Sequence, residues 1–347
     1  MTVSPLQAGL ALTGVLVVLA VALHGVWVSR RNAPRQPVVG PAAEPAQQGG
    51  EGVEPTLDDA AFELSRFPLP LPDKKPSLDP LIDIIAPLAL EGPVSGDAAL
   101  AAMPATRRAG SKPFAIEGYN AATQRWETPL PGQRYSAFQA GVQLANRAGA
   151  LNEIEYSEFV MKTQAFADAV NGTPDFPDML EEVARARELD QFAGDHDAQL
   201  GFLLRARNAA WSPGYVHQSA ARLGFVAGAL PGRMVIAANT PGLPPILGLS
   251  FDTQAALSED PAQSAIRDLT LSLDVPQVDP DERPFERMRE VAMVLADSMD
   301  GMLMDHSGVP LGTAEMDQIA ADLSQLYATL AERELGAGSA LARRLFS

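Results

Sequence analysis

Hydrophobic and polar positions fall into three regimes along this chain. Residues 6–28, opening on Leu6 and closing on Trp27 and Val28, form an uncharged run of 23 residues, followed by Arg30 and Arg31. As a helix this run reaches about 35 Å, against a hydrocarbon core of roughly 30 Å, which predicts a transmembrane anchor. No Lys or Arg precedes it, whereas Arg30, Arg31 and Arg35 follow. The positive-inside rule then sets Met1 outside and the rest of the chain in the cytoplasm. The competing reading is a cleaved secretory signal using Ala20-Val21-Ala22, but such signals carry their basic residues before the apolar core.

Residues 32–77 have neither period. Nine prolines fall among these 46 residues, with Gly49-Gly50 and scattered acids, and only Phe62 and Phe67 are aromatic. Such a stretch buries too little apolar surface to offset its ordering entropy and reads as a disordered linker. As a coil it spans on the order of 40 Å. Pro68-Leu69-Pro70-Leu71-Pro72 reads as a stiff spacer or a polyproline ligand.

From Leu78 onward both periods appear. In residues 269–275 Leu271, Leu273 and Val275 alternate with Thr270, Ser272 and Asp274, the pattern of a strand with one wet face. Leu247, Leu249 and Phe251 alternate likewise with Gly248 and Ser250, and residues 82–90, 140–145 and 200–207 also read as strands. Residues 283–299 carry Met288, Val291, Leu295 and Met299 at helical spacing. The spans 177–193 and 313–333 read as helices opened by Pro177 and Thr313.

The pattern also recurs. Residues 159–172 (FVMKTQAFADAVNG) and 288–301 (MREVAMVLADSMDG) share an ending in Ala-Asp, a small and an apolar residue, Asn or Asp, then Gly. That Gly suits a left-handed helix close. Each of these helices follows a strand-like run and precedes another amphipathic helix. Earlier, Ser95-Gly96 and Ser212-Pro213-Gly214 each open a helix after an apolar run. The expected fold class is α+β, an antiparallel sheet with helices on one face, duplicated in tandem over 78–195 and 196–335, with 336–347 a flexible tail. Chance likeness of amphipathic helices is the alternative to duplication.

Composition narrows the function. The chain has 347 residues, a net charge of −17 and no cysteine. Disulfides and thiolate metal sites are excluded, and so acidic a chain makes a poor nucleic-acid partner. Four histidines occur, His24, His196, His217 and His306, and none is spaced i, i+4 from another. Asp195-His196-Asp197 and Asp305-His306 are acid–base material but read as polar turns. No GxGxxG, Walker or GxSxG motif is present. No metal or cofactor is implied, and the expectation is a chain that is not an enzyme.

Two places resemble a known family. His24-Gly25-x-Trp27-x-Ser29-Arg30-Arg31, at the end of the apolar run, is similar to the membrane exit of the ZipA family. Its members are bitopic proteins that tether the tubulin-like FtsZ ring to the bacterial inner membrane. Thr270-Leu-Ser-Leu-Asp-Val-Pro276, the helix ending Ala296-Asp297-Ser-Met-Asp-Gly301, a short strand and the helix from Thr313 resemble the ZipA C-terminal domain in order and detail. Gly224-Phe225-Val226 is similar to its second strand. The resemblance implies an FtsZ-binding domain over 196–335 whose exposed sheet face forms a shallow apolar groove for the FtsZ C-terminal tail. Carried over residue by residue, that groove takes Leu203 and Arg205 on its first strand and Leu230 after the second. Ser250 and Asp252 lie on the third strand, and Ser272 on the fourth. Ser272 stands where the family has a large aromatic, so this groove is less apolar than the family's.

The readings that stand are a cell-division adaptor, a membrane-tethered module for another cytoplasmic partner, and an enzyme whose site has no familiar motif. Self-association is open in each.

Overall fold

The computed structural model describes residues 34–37, 78–258 and 264–347. The anchor expected over 6–28, with Leu6, Trp27, Val28, Arg30 and Arg31, lies outside them, as does most of the expected linker. Among the described residues no helix is long and apolar enough to cross a membrane. The chain divides into two compact units. The upstream unit takes its described residues from Gln48–Ala198, Val275–Pro280 and Leu323–Ser347. The downstream unit takes them from Met1–Gln47, Gln199–Asp274 and Asp281–Asp322.

The upstream unit starts with strand β1 (Asp83–Leu90), β2 (Val94–Ser95) and helix α1 (Gly96–Ala102). Ser95 caps α1 by accepting from the Ala98 N–H at 3.2 Å. Strands β3 (Arg108–Ala109), β4 (Lys112–Asn120), β5 (Arg125–Glu127) and β6 (Arg134–Gln143) follow. A small hairpin, β7 (Ala145–Asn146) with β8 (Gly149–Ala150), leads to α2 (Glu153–Ala169), β9 (Gly172–Pro174) and α3 (Met179–His196). Asn152 and Glu155 close a capping box at the start of α2. Asp178 caps α3, so that helix begins two residues after Pro177.

The upstream sheet runs β3-β4-β6-β1-β9, with β2 on β6 and β5 on β4. Every pairing is antiparallel. Its core is built from alternate strand residues, Ile84, Ala86, Leu88, Phe138, Ala140 and Val142, packed against α2 and α3. Phe138 meets Phe166 edge-on at 5.1 Å, and Phe114 meets Phe159 at 6.1 Å.

The chain's end departs from expectation. Residues 336–347 are not a loose tail: Ser339 caps helix α8 (Ala340–Leu345), and Leu345 and Phe346 are buried in the upstream core. Arg344 holds the fully buried Asp83 carboxylate with two bonds, at 2.9 and 2.5 Å. The physical reason is a short amphipathic turn whose apolar residues complete a core that 78–195 does not close alone. Burial pushes the Asp83 carboxyl above its ordinary 3.8, and the Arg344 hydrogen bond and charge pull it back.

The downstream unit comprises β10 (Gln199–Ala206), α4 (Pro213–Ala221), β11 (Val226–Ala227), β12 (Arg233–Ile236), β13 (Leu247–Ser250) and α5 (Thr253–Ala256). Then come β14 (Asp268–Asp274), α6 (Pro284–Met299) and β15 (Gly301–Met304). Helix α7 (Thr313–Glu332) starts in this unit, and its residues from Leu323 belong to the upstream one. The sheet order is β11-β12-β13-β14-β10-β15. Phe202, Leu204, Leu269, Leu271 and Leu273 are buried, as are Met288, Val291, Leu295 and Met299 of α6.

Two local details also depart from expectation. The left-handed closing residues are Asn171 (φ 52°) and Asp300 (φ 56°), not the glycines after them. Asn and Asp tolerate that region, which frees the glycine for another task. A Cβ on Gly301 would come within 2.6 Å of Leu204 Cδ1, so this Gly admits the first residue of β15 against β10. Second, residues 34–37 are not free linker. Arg35 forms a parallel bridge to Trp211, donating its N–H to Ala210 O at 2.7 Å and accepting from the Ser212 N–H at 3.0 Å. Its guanidinium reaches the Asp300 carboxylate at 2.9 Å. A composition averaged over 46 residues hides a four-residue contact like this.

Replacing Gly301 by Ala is expected to destabilise the downstream unit by about 1–3 kcal/mol, read by thermal melting. Arg344→Met, which strips the cation from a buried carboxylate, is expected to cost about 3 kcal/mol at pH 7. A raised carboxyl pKa gives most stability below the unfolded value and loses it as pH rises. The Arg344→Met deficit should therefore shrink toward pH 4; urea denaturation at both pH values checks this, and an equal deficit counts against it.

Candidate functional site

Strand alternation in the downstream unit sends Leu269, Leu271 and Leu273 into the core and Thr270, Ser272 and Asp274 to the other face. Register then assembles that second face in rows. Ser272 pairs with Gly201 of β10 on one side and Gly248 of β13 on the other. Thr270 pairs in the same way with Leu203 and Ser250. Arg205 pairs with Asp268, and its Nε donates to the carboxylate at 2.7 Å. That hydrogen bond holds the guanidinium pKa above its ordinary value.

The middle row is a floor of small residues. Nothing lies within 4 Å of a Cβ built on Gly201. One built on Gly248 would meet Ser272 Oγ at 2.6 Å, so the Ser272 hydroxyl leans over the glycine. Gly201 and Ser272 are exposed, while Gly248, Ser250, Thr270 and Leu203 are half-buried. The result is a shallow depression, apolar at Leu203 and polar at Thr270, Asp274 and the Arg205–Asp268 pair.

Of the six residues expected to bind a partner, Leu203, Arg205, Ser250 and Ser272 sit on this face. Leu230 lies after the second strand, where the resemblance puts it, and Asp252 does not sit on a strand. Leu230 is exposed in the turn between β11 and β12, its carbonyl accepting from the Arg233 N–H. Asp252, expected on the third strand, lies past the end of β13 and caps α5 by accepting from the Gln254 N–H at 2.9 Å. Asp followed by Thr-Gln-Ala-Ala is a helix start, which takes precedence over extending a strand. Alternation of apolar and polar residues does not single out the floor residues Gly201 and Gly248; the signal that does is glycine within a strand, which marks close approach by another group.

The acid–base candidates are tied into turns and helix ends. His196 is the last residue of α3; its Nδ1 lies 2.7 Å from Phe192 O and its ring stacks on Phe192 at 4.3 Å. Asp197 takes two bonds from Arg147, at 2.8 and 2.6 Å. The Asp305 carboxylate accepts from the Ser307 and Val309 N–H groups, both at 2.8 Å. Among the described residues no group of three His, Asp or Glu side chains is placed to hold a metal.

Compared with known families, residues 257–322 match ZipA, C-terminal FtsZ-binding domain. The match takes in β14, α6, β15 and the start of α7, and makes the chain ZipA-like through that segment. It is narrower than the 196–335 span of the resemblance. Of the six candidate residues only Ser272 falls inside it. No curated protein matches the chain.

Proposed function

From the ZipA-like identity of residues 257–322, we propose that this chain is a cell-division adaptor that binds the C-terminal tail of FtsZ and holds it at the cytoplasmic membrane. The observation that carries the reading is the open second face of the downstream sheet, with Ser272 at its centre between two glycines. The function is mechanical. An extended tail laid over Gly201, Ser272 and Gly248 approaches the backbone closely and buries apolar side chains against Leu203. Each buried apolar Å² contributes about 25 cal/mol. Many weakly held tails on one polymer become collectively tight through multivalency.

In this reading residues 6–28 are the anchor, with Trp27, Arg30 and Arg31 at the cytoplasmic edge. The docking of Arg35 in the downstream unit modifies the tether. Only Ser29 to Pro34 separate the span from Arg35, at most about 20 Å of chain. The binding face is thus kept close to the bilayer, and residues 38–77 connect Pro37 to Leu78 instead of spacing the face outward.

We also read the two units as copies of one ancestral domain. What supports this is the matched order β3-β4-β6-β1-β9 and β12-β13-β14-β10-β15, antiparallel throughout. The core positions Phe138, Ala140 and Val142 pair across their sheet as Leu269, Leu271 and Leu273 do across theirs. A second reading, an adaptor for a different cytoplasmic partner, draws on the polar rim of Thr270, Asp274 and the Arg205–Asp268 pair.

Co-sedimentation of the full chain in nanodiscs with FtsZ polymers is expected, and is expected to vanish with tail-deleted FtsZ. Sedimentation that survives tail deletion favours the second reading. Ser272→Phe, which fills the floor on which the tail lies, is expected to weaken binding of a tail peptide about tenfold by fluorescence polarisation. Unchanged or tighter binding would count against close approach of the tail at Ser272.

A further inference from the structure

We propose that the outer face of the upstream sheet is a second docking face for the same FtsZ tail, held shut by the chain's own Leu78. The inference rests on the tail-binding reading above and extends it to the unit outside the family match. In the upstream sheet Gly141 of β6 pairs with Ile85 of β1 and Ala115 of β4. It therefore holds the place that Ser272 holds between Gly201 and Gly248. The downstream floor is open, whereas this one is filled. A Cβ on Gly141 would come within 2.4 Å of Leu78 Cδ2 and 2.7 Å of Cδ1, so the leucine methyls rest directly on the glycine.

Leu78 is buried but stands outside the core cluster that joins the sheet to α2 and α3. It lies on the opposite face, where Ala115 and Glu117 alternate with the inward Phe114 and Ile116. Its N–H donates to Glu117 Oε1 at 3.2 Å, and Glu117 Oε2 accepts from Gln139 Nε2 at 2.8 Å. A buried carboxylate on a sheet face, receiving a main-chain N–H from a segment laid across it, is a recognition contact any extended peptide can reproduce. Beside Leu78 a cavity of about 290 Å³ is lined by Met103, Pro104, Arg107, Pro113 and Thr128. It leaves room for a side chain next to the one that sits on Gly141.

Leu78 lies five residues before the start of β1. A competitor tethered that closely has an effective concentration in the millimolar range, so free tail at micromolar concentration does not displace it.

The test is calorimetric titration of the full chain in nanodiscs with FtsZ tail peptide. The unsubstituted chain is expected to bind one peptide. Leu78→Ser, which removes the plug, and Gly141→Ala, which pushes it off its seat without touching the plug, are each expected to bind two. Adding Ala115→Arg to Leu78→Ser should return the count to one. A count of one in both single variants, or of two in the unsubstituted chain, overturns the proposal. Absence of binding in all of them would instead remove the tail-binding reading, and this inference with it.

Discussion

A β-strand places alternate residues on opposite faces, and in each unit the apolar residues of one face pack into the core with the long helices. That constraint governs the rest of the molecule. In β14 the three leucines Leu269, Leu271 and Leu273 are all buried. Each contributes about 1.5–3 kcal/mol, so a register slip of one residue would forfeit several kcal/mol by exposing them. The core thereby pins Thr270, Ser272 and Asp274 to the outer face. What can approach that face is then set by these small and polar residues, not by the groups in the core.

The same constraint explains why the turns after α2 and α6 matter. Each helix must end abruptly and return its chain to the sheet edge beside the first strand of its unit. Asn171 and Asp300 make the left-handed step, and the following glycine lets the edge strand begin in contact with its neighbour. Asp300 does more than turn. Its carboxylate accepts from Asn208 at 3.0 Å and from Arg35 at 2.9 Å, so the residue that closes α6 also receives the segment nearest the expected anchor.

Much of the secondary structure was legible because it is written in local period. Alternation in 269–275 and in Leu247, Leu249 and Phe251 gave β14 and β13 to within a residue or so. The spacing of Met288, Val291, Leu295 and Met299 gave the buried stripe of α6. What was not legible depends on contacts between distant residues. Nothing local marks Leu78 as the cover of Gly141, or Arg35 as the partner of Trp211. The helix at Ala340–Leu345 is not legible because six helical residues carry too few turns to show a period. The candidate face was legible where strands set it, at Leu203, Arg205, Ser250 and Ser272. It failed at Asp252, where a helix cap ends the strand pattern.

The assignment of the last residues bears on what counts as a domain in this chain. Sequence repeats suggest a cut near 196 and an end near 335, but Leu330, Leu335, Leu345 and Phe346 are all buried in the upstream core. At about 2 kcal/mol each, these side chains supply on the order of 8 kcal/mol, comparable to the whole net stability of a typical domain. A fragment ending at residue 195 would lose that contribution together with the Arg344 partner of buried Asp83. The upstream sheet, including the face under Leu78, therefore depends on side chains from residues 330–346 as well as on those of 78–195.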